Sequence, residues 1–520
     1  MAERQISLFD TGPPQPCPAP FNIAGYVLAA VASTPDKIAL GVIEDADGQV
    51  AEAWSFRQLE QAIRSAATAL KACGLSPGDR VALRIENTAA FPIFFFATIA
   101  AGGIAAPTSA QLTGREFHIL LEDMGAKLAI MSETLRNDVP KSVTAIPAGE
   151  LGAFMAADPA QIVATGPEDP AFLIYTSGAS GRPKGVLHAQ RSAWARRMMW
   201  RDWYGLSAND TMLHAGAFNW TYTLGTGLTD PWAAGASTLI YTGPKDAGIW
   251  PGLIAQHKPT LFAAVPGVYR SMLRQSCSMR EVLSPLRHAL TAGERMPETV
   301  SSEWLRQTGK PVNEALGMSE ISTYISVAPG SRPPPGSCGR PQSGRRVAII
   351  APETGEPLPI DTPGILAVSK RDPGLMLGYW NRPEETAAAF RGEWFLTGDR
   401  ARMDRNGYIT YLGRADEVMT SLGYRVSPQE VEEVLAGHVA ISEVAVAELP
   451  VRDDLSLIAA FIVASGEMPG DADLAAFAAR RLAAYKCPRL WIRVDNLPRS
   501  ANGKLLRKAL ISTHRRDREK

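Results

Sequence analysis

Residues 171–185 read Ala171-Phe-Leu-Ile-Tyr-Thr-Ser-Gly-Ala-Ser-Gly-Arg-Pro-Lys-Gly185, an apolar run that passes directly into a loop rich in glycine and hydroxyl side chains. The apolar run predicts a buried strand. In such a loop, backbone N–H groups can converge on phosphate oxygens, and a lysine adds a positive charge. The residues suited to this role are Thr176, Ser177, Gly178, Ser180, Gly181 and Lys184. The loop is not a Walker A motif, because that spacing, counted from Gly178, places Pro183 where a second glycine is required.

Outward from this loop, short β-rich runs alternate with helical stretches between about residues 39 and 347, which is typical of α/β layering. Further strands are predicted at 81–85, 127–131, 237–241 and 261–265. A capping box at Thr113 and Glu116 predicts the start of a helix. The apolar run 91–107 is too short for a bilayer span and contains glycines, so it predicts a buried helix that leads into a strand.

After Trp380 the pattern changes. Residues 407–413 predict a hairpin arm, and residues 417–511 predict a smaller unit of the order β-α-β-α-β. The fold class is therefore α/β, with a large multi-layer N-terminal α/β domain over residues 1–415. A smaller α+β C-terminal domain follows over residues 416–520, with a hinge at Asp416.

Charge and cysteine usage restrict the function. Lysine plus arginine and aspartate plus glutamate number 53 each, without the basic excess of a general nucleic-acid binder. The five cysteines form no CxxC pair, which predicts neither a disulfide framework nor a thiolate zinc site. Residues 1–20 lack the apolar core of a signal peptide, so we expect a cytoplasmic protein without membrane association.

Two isolated signals are weaker than they look. Gly74-Leu-Ser-Pro-Gly78 fits the nucleophile elbow of α/β-hydrolases, but it follows a predicted helix (59–72) and precedes a strand, the reverse of what that elbow requires. We interpret it as a helix-to-strand loop with Gly74 as the C-cap. His188 follows the phosphate loop and could line a site, although a structural histidine is the more frequent case.

Five further segments join the loop in a fixed order. They are Thr291-Ala-Gly-Glu294, Glu314-Ala-Leu-Gly-Met-Ser-Glu320, Trp394-Phe-Leu-Thr-Gly-Asp399, Gly413-Arg-Ala-Asp416 and Leu497-Pro-Arg-Ser-Ala-Asn-Gly-Lys504. Together they resemble the acyl-adenylate-forming superfamily of acyl-CoA synthetases, carrier-domain adenylation enzymes and luciferases. The resemblance extends from about residue 21 to residue 510.

The resemblance assigns a nucleotide site. Asp399 would bind both ribose hydroxyls, because a carboxylate accepts two hydrogen bonds. Glu320 would hold the magnesium that bridges the phosphates, as a hard oxygen ligand for a hard cation. The remaining assignments are Ser319 at the α-phosphate, Glu314 at the adenine amino group, Gly293 and Glu294 beside the ring, Ala315, Leu316 and Gly317 along the same motif, Arg414 near the ribose and Arg425 near phosphate or carboxylate.

The resemblance also implies two half-reactions. Lys504 would bridge the carboxylate and the α-phosphate during adenylation, where two anions about 4 Å apart repel by roughly 4 kcal/mol at an effective dielectric near 20. The mobile C-terminal domain would then rotate about Asp416, removing Lys504 and opening a pantetheine tunnel. Gly423 matches the glycine that lines this tunnel, where a side chain would block it.

Some positions differ from the commonest motif pattern of the superfamily, and these differences indicate one of its branches. Leu316 stands where many relatives carry an aromatic ring, and Asn219 where many carry histidine. With the opening Phe21-Asn-Ile-Ala, these features resemble benzoate and medium-chain acid CoA ligases. The acyl pocket would be lined by Trp220, Tyr222, Gly317, Thr323 and Tyr324. Acetate-activating relatives carry tryptophan at the position of Gly317, so the glycine predicts open space and poor use of acetate.

The sequence therefore predicts a carboxylic acid–CoA ligase that uses ATP with Mg²⁺ and coenzyme A. The acid is aromatic, alicyclic or of short to medium chain length, and no nucleic acid takes part. One alternative is a stand-alone adenylation enzyme that loads a carrier-protein thiol, and another is a nucleotide-binding regulatory protein without turnover. Monomer and homodimer both stay open.

Overall fold

The structure is a computed structural model. It describes residues 5–45, 48–177, 183–244, 246, 248–275, 278–293, 296, 298–414, 419–421, 424–426, 428–452, 455–467, 469–498, 507, 510–512 and 514. At 136–138, 177, 299, 413, 414, 420, 425, 429 and 433 the description covers the backbone alone.

Strands and helices alternate through most of the chain, as predicted. The strands are β1 Leu8–Asp10, β2 Ile38–Ile43, β3 Val50–Ser55, β4 Arg80–Arg84, β5 Ile104–Pro107, β6 Ala126–Met131, β7 Thr144–Pro147, β8 Pro170–Ser177, β9 Pro183–Ala189, β10 Thr211–His214, β11 Ser237–Tyr241, β12 Leu261–Ala263, β13 His288–Ala292, β14 Val312–Met318, β15 Ser322–Ser326, β16 Arg340–Pro341, β17 Arg346–Ile350, β18 Gly364–Ser369, β19 Gly378–Tyr379, β20 Phe390–Arg391, β21 Trp394–Met403, β22 Ile409–Arg414, β23 Met419–Ser421, β24 Tyr424–Val426, β25 Ile441–Arg452, β26 Leu455–Ala464 and β27 Leu490–Arg493.

The helices are α1 Ile23–Val27, α2 Phe56–Ala72, α3 Ala90–Ala100, α4 Gly114–Met124, α5 Leu151–Met155, α6 Arg191–Ala195, α7 Arg197–Met199, α8 Thr221–Leu224, α9 Asp230–Ala233, α10 Ile249–His257, α11 Pro266–Met272, α12 Met279–Val282, α13 Glu298–Thr308, α14 Pro383–Ala388, α15 Pro428–Leu435 and α16 Asp471–Ala479. Short 3₁₀ turns occupy Ala29–Ala32, Glu133–Asp138 and Ala148–Glu150. Wide π-helical turns occupy Trp200–Tyr204 and Gly225–Thr229.

The contacts group the chain into two compact units. The first comprises Met1–Ala110, Leu121–Ile174 and Gly185–Ala415, and the second comprises Gln111–Leu120, Tyr175–Lys184 and Asp416–Lys520. Three sheets carry the large part of the chain. Their strand orders are β16-β15-β14-β13-β12-β10-β11-β2-β3, β19-β9-β8-β5-β4-β6-β7, and β1-β17-β18-β21-β20 with β22 paired to β21.

The interiors of the first two sheets are parallel, so the carboxyl ends of neighbouring strands share one edge. The pairs β12–β13 and β13–β14 run parallel, and β15 then returns antiparallel to β14. In the third sheet, the pairs β1–β17, β17–β18 and β18–β21 are antiparallel. This mixed α/β architecture confirms the predicted fold class.

Local sequence explains several of these boundaries. Ser55 and Gln58 form a capping box at the start of α2. Gly74, at φ +92°, ends the helix: Leu75 N–H donates to Leu70 O at 3.1 Å and Gly74 N–H to Lys71 O at 2.9 Å, a Schellman motif. The glycine-bounded segment 74–78 is therefore the predicted helix-to-strand loop.

The predicted capping box at residue 113 is also present. The backbone N–H of Thr113 donates to the Glu116 carboxylate at 2.9 Å, and Glu116 N–H donates to Thr113 Oγ1 at 3.3 Å. The apolar run 91–107 is confirmed as a buried helix followed by a strand, since every residue of α3 is buried and β5 begins at Ile104. No helix among the described residues is long and apolar enough to cross a membrane.

The C-terminal segment departs from the predicted order β-α-β-α-β. The first predicted strand is a short hairpin, β23–β24, and the second is a long hairpin in which β25 pairs with β26. The observed order is therefore β-β-α-β-β-α-β. The apolar pattern continues along both β25 and β26, so periodicity alone does not divide the segment into two strands.

Candidate active site

Glu320 lies in the tight turn between β14 and β15. Its side chain is buried, and Oε1 accepts a hydrogen bond from the Tyr379 hydroxyl at 2.9 Å. Oε2 is buried without a hydrogen-bond partner among the described residues. A buried carboxylate oxygen that lacks a donor is costly unless a cation binds it. The residue therefore fits the predicted role of a magnesium ligand.

Tyr379 is a site residue that the sequence did not reveal. It lies on β19, which pairs antiparallel with β9, so that Tyr379 stands opposite Val186, just after the phosphate loop. The neighbouring backbone also holds the turn, because Met376 N–H donates to Glu320 O at 2.8 Å. A lone tyrosine 59 residues from its partner gives no local signal.

His188 supports the turn from β9. Its Nε2 lies 2.8 Å from the carbonyl oxygen of Ser319, so Nε2 carries the proton and donates it. The ring stacks on Phe172 at a centroid distance of 4.6 Å. Burial lowers the pKa of His188 to about 4, and the imidazole is therefore neutral at physiological pH. These contacts give His188 a structural role, the more frequent case for such a histidine.

Asp399 is buried in β21 and faces Arg414 directly across the antiparallel pair with β22. Its backbone N–H donates to Thr397 Oγ1 at 3.1 Å. Burial raises the pKa of Tyr324 well above its usual value, and the negative charge of the Asp399 carboxylate raises it further. Two residues predicted to bind the ribose are thus brought together by one hairpin.

The predicted adenine residues lie at the carboxyl end of β13 and in the part of β14 that pairs with it. Thr291 pairs with Glu314 and Ala292 with Ala315 in parallel register. Gly293 follows β13 at φ +93°, a conformation that favours glycine. Glu314 Oε1 accepts from Met296 N–H at 3.1 Å, which fixes the carboxylate beside this loop.

The residues predicted to line the acyl pocket separate into two groups. Trp220 and Tyr222 lie in one cluster, with ring centroids 6.4 Å apart, and Trp220 also lies against Gly293. Thr323 joins them through Met199, whose sulfur accepts from Thr323 Oγ1 at 2.9 Å. Tyr324 instead packs in a separate cluster with Met318. The structure does not bring Tyr324 together with the other two rings.

The prediction that Gly317 leaves open space is wrong. β14 and β15 slip out of register between Leu316 and Gly317. A Cβ atom at Gly317 would lie 2.6 Å from Ser322 O and 2.7 Å from Thr323 Cα, both closer than real contacts. Glycine is required here by the close approach of two backbones rather than by a substrate.

The structure describes the two strands on either side of the phosphate loop, up to residue 177 and from residue 183. Thr176 Oγ1 lies 3.4 Å from the carbonyl oxygen of Lys184, so the hydroxyl donates across the hairpin. For Ser177, Arg414 and Arg425 the backbone alone is described. Other predicted site residues lie outside the described residues: Gly178, Ser180, Gly181, Glu294, Asp416, Gly423 and Lys504.

Comparison with known proteins agrees with this geometry. The family model for AMP-binding enzymes matches residues 27–380, and that for the AMP-binding enzyme C-terminal domain matches residues 430–504. The benzoate–CoA ligase of Thauera aromatica is 33% identical over 485 residues, covering 89% of this chain and 91% of that protein. The 3-hydroxybenzoate–CoA ligase of Aromatoleum sp. (strain CIB) is 29% identical over 471 residues, covering 87% and 90%. Among solved structures, o-succinylbenzoate CoA synthetase from Bacillus subtilis has a TM-score of 0.84 at 26% identity, covering 94% of this chain and 98% of that chain.

The chain therefore belongs to the AMP-binding enzyme family. It is an AMP-forming acid–thiol ligase of the acyl-CoA synthetase type. It activates a carboxylic acid with ATP and Mg²⁺ as an acyl-adenylate and passes the acyl group to coenzyme A. This confirms the predicted carboxylic acid–CoA ligase.

Proposed function

We propose that the acid is a benzoate-type aromatic carboxylate. The observation that carries this proposal is the pair of rings Trp220 and Tyr222, 6.4 Å apart and inclined at 56°. Tyr222 is buried, and its hydroxyl is held by the carbonyl oxygen of Leu290 at 3.1 Å. Rings fixed in this way favour a flat partner, since aromatic contacts contribute about 0.5–1.5 kcal/mol each.

The position of these rings supports the same proposal. Trp220 contacts the space beside Gly293, where we place one edge of the adenine. An acid bound against Trp220 would therefore lie close to the nucleotide, as adenylation requires. Relatives that act on benzoate and 3-hydroxybenzoate add support.

We infer the following roles for the nucleotide residues. Asp399 accepts hydrogen bonds from the ribose hydroxyls, with Arg414 beside it. Glu314 fixes the adenine amino group, and Ser319 contacts the α-phosphate. Glu320, through its unpartnered Oε2, holds Mg²⁺, which when bound offsets the negative charge of the phosphates. Thr176 and Lys184 frame the phosphate loop.

The domain assignment completes the proposal. Residues 1–415 form the domain that binds nucleotide and acid, and residues 416–520 form the mobile domain, with Asp416 as the hinge. Lys504 and Arg425 act in adenylation, and Gly423 lines the path of the pantetheine arm. The matched segments 27–380 and 430–504 fall on either side of this boundary, which supports the division.

We also propose a reducing, cytoplasmic setting. Among the described residues, Cys17, Cys73, Cys338 and Cys487 form no disulfide. Thiols that persist in this state are typical of reducing compartments.

Assays of purified protein with ATP, Mg²⁺ and CoA test the choice of acid. Benzoate, 3-hydroxybenzoate, cyclohexanecarboxylate, hexanoate and acetate are compared by thioester and AMP release at matched concentrations. We expect the two aromatic acids to give the highest kcat/KM and acetate the lowest. A preference for acetate or hexanoate over benzoate would overturn the proposal.

A matched pair of variants connects the preference to the rings. Trp220→Ala removes a ring of the pair and should raise the KM for benzoate about tenfold while changing that for hexanoate less. Trp54→Ala, at a half-buried tryptophan in β3 that packs against a different cluster, should leave both values unchanged. Equal effects of the two variants would contradict a role for Trp220 in acid selection.

A further inference from the structure

Ser322, two residues after Glu320, has an unusual backbone. Its φ is +65°, in the left-handed region that a side chain with Cβ rarely adopts. The residue begins β15, at the point where that strand passes closest to Gly317. Such a conformation persists only where the surrounding structure fixes it, and it clusters at functional sites.

The first group that fixes it is a buried ion pair. The Arg196 guanidinium donates to Ser322 Oγ. Arg196 is held in turn by Asp230, at 2.7 Å from Nη2 and 2.9 Å from Nε, and both side chains are buried. The Tyr204 hydroxyl donates to the same carboxylate at 2.7 Å.

A second buried ion pair holds the next residue. Arg345 Nη2 donates to the carbonyl oxygen of Thr323 at 3.1 Å, and Nη1 pairs with Asp372 at 2.7 Å. The side chains of Arg345 and Asp372 are both 0% exposed. Asp372 also accepts from the backbone N–H of Gly374 at 2.8 Å, which fixes its own loop.

One face of this turn packs closely against the backbone at Gly317. A cavity of about 30 Å³ borders it, lined among others by His188, Arg196, Ile321, Ser322 and Gly374. On the side of this void, the polar contacts of Ser322 and Thr323 supplement the packing. Buried ion pairs contribute little net stability because desolvation offsets their attraction, so two of them on one turn indicate a demand for defined geometry.

We propose that Arg196–Asp230 and Arg345–Asp372 are two pairs of positioning residues, which fix Ser322 and Thr323 and thereby direct the Glu320 carboxylate toward Mg²⁺. The proposal rests on the role given to Glu320 above. All four side chains are buried. They act through the backbone of the turn, and their loss should weaken metal and nucleotide binding more than folding.

Electron paramagnetic resonance can measure the affinity of the site for Mn²⁺ without turnover. The titration is done in the presence of a non-hydrolysable ATP analogue. Ser322→Ala removes the hydroxyl that Arg196 contacts and should raise the Kd for Mn²⁺ about tenfold, the effect of losing a hydrogen bond to a charged group. Ser322→Gly also lacks the hydroxyl but accepts a positive φ. We expect it to bind Mn²⁺ as weakly as the alanine variant, and wild-type affinity in Ser322→Gly would overturn the role of Arg196.

The second pair is tested by removing both charges together, since a lone buried charge could prevent folding. Arg345→Met/Asp372→Leu should raise the Kd for Mn²⁺ about tenfold. The control Arg287→Met/Asp210→Leu likewise removes both partners of an ion pair, elsewhere in the same unit, and should leave the Kd unchanged. If the double variant folds and binds Mn²⁺ like the wild type, the role of Arg345–Asp372 is wrong.

Glu320→Gln separates this proposal from the function on which it rests. Wild-type Mn²⁺ affinity in Glu320→Gln would reject Glu320 as the metal ligand. Weakened binding in Glu320→Gln, together with wild-type binding in the Ser322 and Arg345/Asp372 variants, would reject the positioning pairs alone. Transfer of the acyl group from supplied acyl-adenylate to CoA should stay near wild type in the Ser322 variants and in Arg345→Met/Asp372→Leu, because pyrophosphate has already left in that step. A proportional loss in both half-reactions would indicate a general structural role and overturn the proposal.

Discussion

Asp399 and Arg414 stand directly opposite each other in neighbouring antiparallel strands, although they belong to different sequence motifs. The turn between β21 and β22 brings the two positions together. Asp399 is buried, so its carboxylate is fixed before a ligand binds. This preorganisation underlies the first prediction.

Asp399→Asn should raise the KM for ATP between about tenfold and a hundredfold, because hydrogen bonds to a charged acceptor contribute about 1.5–3 kcal/mol. The steady-state rate with ATP and with 2′-deoxy-ATP gives the measurement. The wild type should discriminate against the deoxynucleotide, whereas the variant should discriminate less. An unchanged ratio of the two nucleotides would show that Asp399 does not bind the 2′-hydroxyl.

Tyr379→Phe removes the hydroxyl that donates to Glu320 Oε1. We expect the Mg²⁺ concentration for half-maximal rate to rise about tenfold, because the carboxylate loses one fixed contact. The control is Tyr408→Phe, where the ring packs beside Arg340. A magnesium titration that is identical for the Tyr379 variant and the wild type would contradict the prediction.

Gly317→Ala should destabilise the protein by about 1–3 kcal/mol, because its Cβ atom would meet the backbone at Ser322 and Thr323. Gly252→Ala is the matched control: this glycine lies within α10, and an added Cβ meets nothing within 4 Å. That change should stabilise by about 0.5–1 kcal/mol. Thermal unfolding of the two variants should shift in opposite directions, and equal shifts would refute the steric account.

Lys504→Ala should abolish most acyl-adenylate formation, because the repulsion between carboxylate and α-phosphate is no longer offset. Thioester formation from supplied acyl-adenylate should stay close to wild type. Pyrophosphate exchange measures the first step, and release of acyl-CoA from synthetic adenylate measures the second. Equal losses in the two steps would reject a lysine that acts in one of them alone.

The sequence was sufficient to name the candidate-site residues that sit in compact motifs. Glu314, Glu320 and Asp399 could be named because each ends or begins a short segment with a fixed spacing. The strand and helix pattern around them follows from apolar periodicity, and the capping box at Thr113 was visible as a local signal. Local sequence is enough to predict an element or a helix cap where the residues that interact are close together in the chain.

Long-range contacts could not be predicted in this way. Tyr379 and Glu320 are separated by 59 residues, and Arg345 and Asp372 by 27, with no spacing rule to connect them. Gly317 was misread because its neighbour across the sheet depends on a register slip that periodicity does not show. In the C-terminal unit, each of two hairpins was predicted as a single strand, because apolar periodicity does not show where one strand ends and its partner begins.

The hairpin β14–β15 has a consequence for engineering. Its first strand and turn carry the residues Glu314 to Glu320 that we propose for the nucleotide, and its second strand carries Thr323, which we predict to line the acid pocket. A substitution in the second strand that reshapes acid choice will also disturb ATP use, so mutations there should be epistatic with the nucleotide motif. Trp220 lies at the start of a separate helix. Directed evolution toward new acids should accumulate changes around Trp220 before it changes the hairpin.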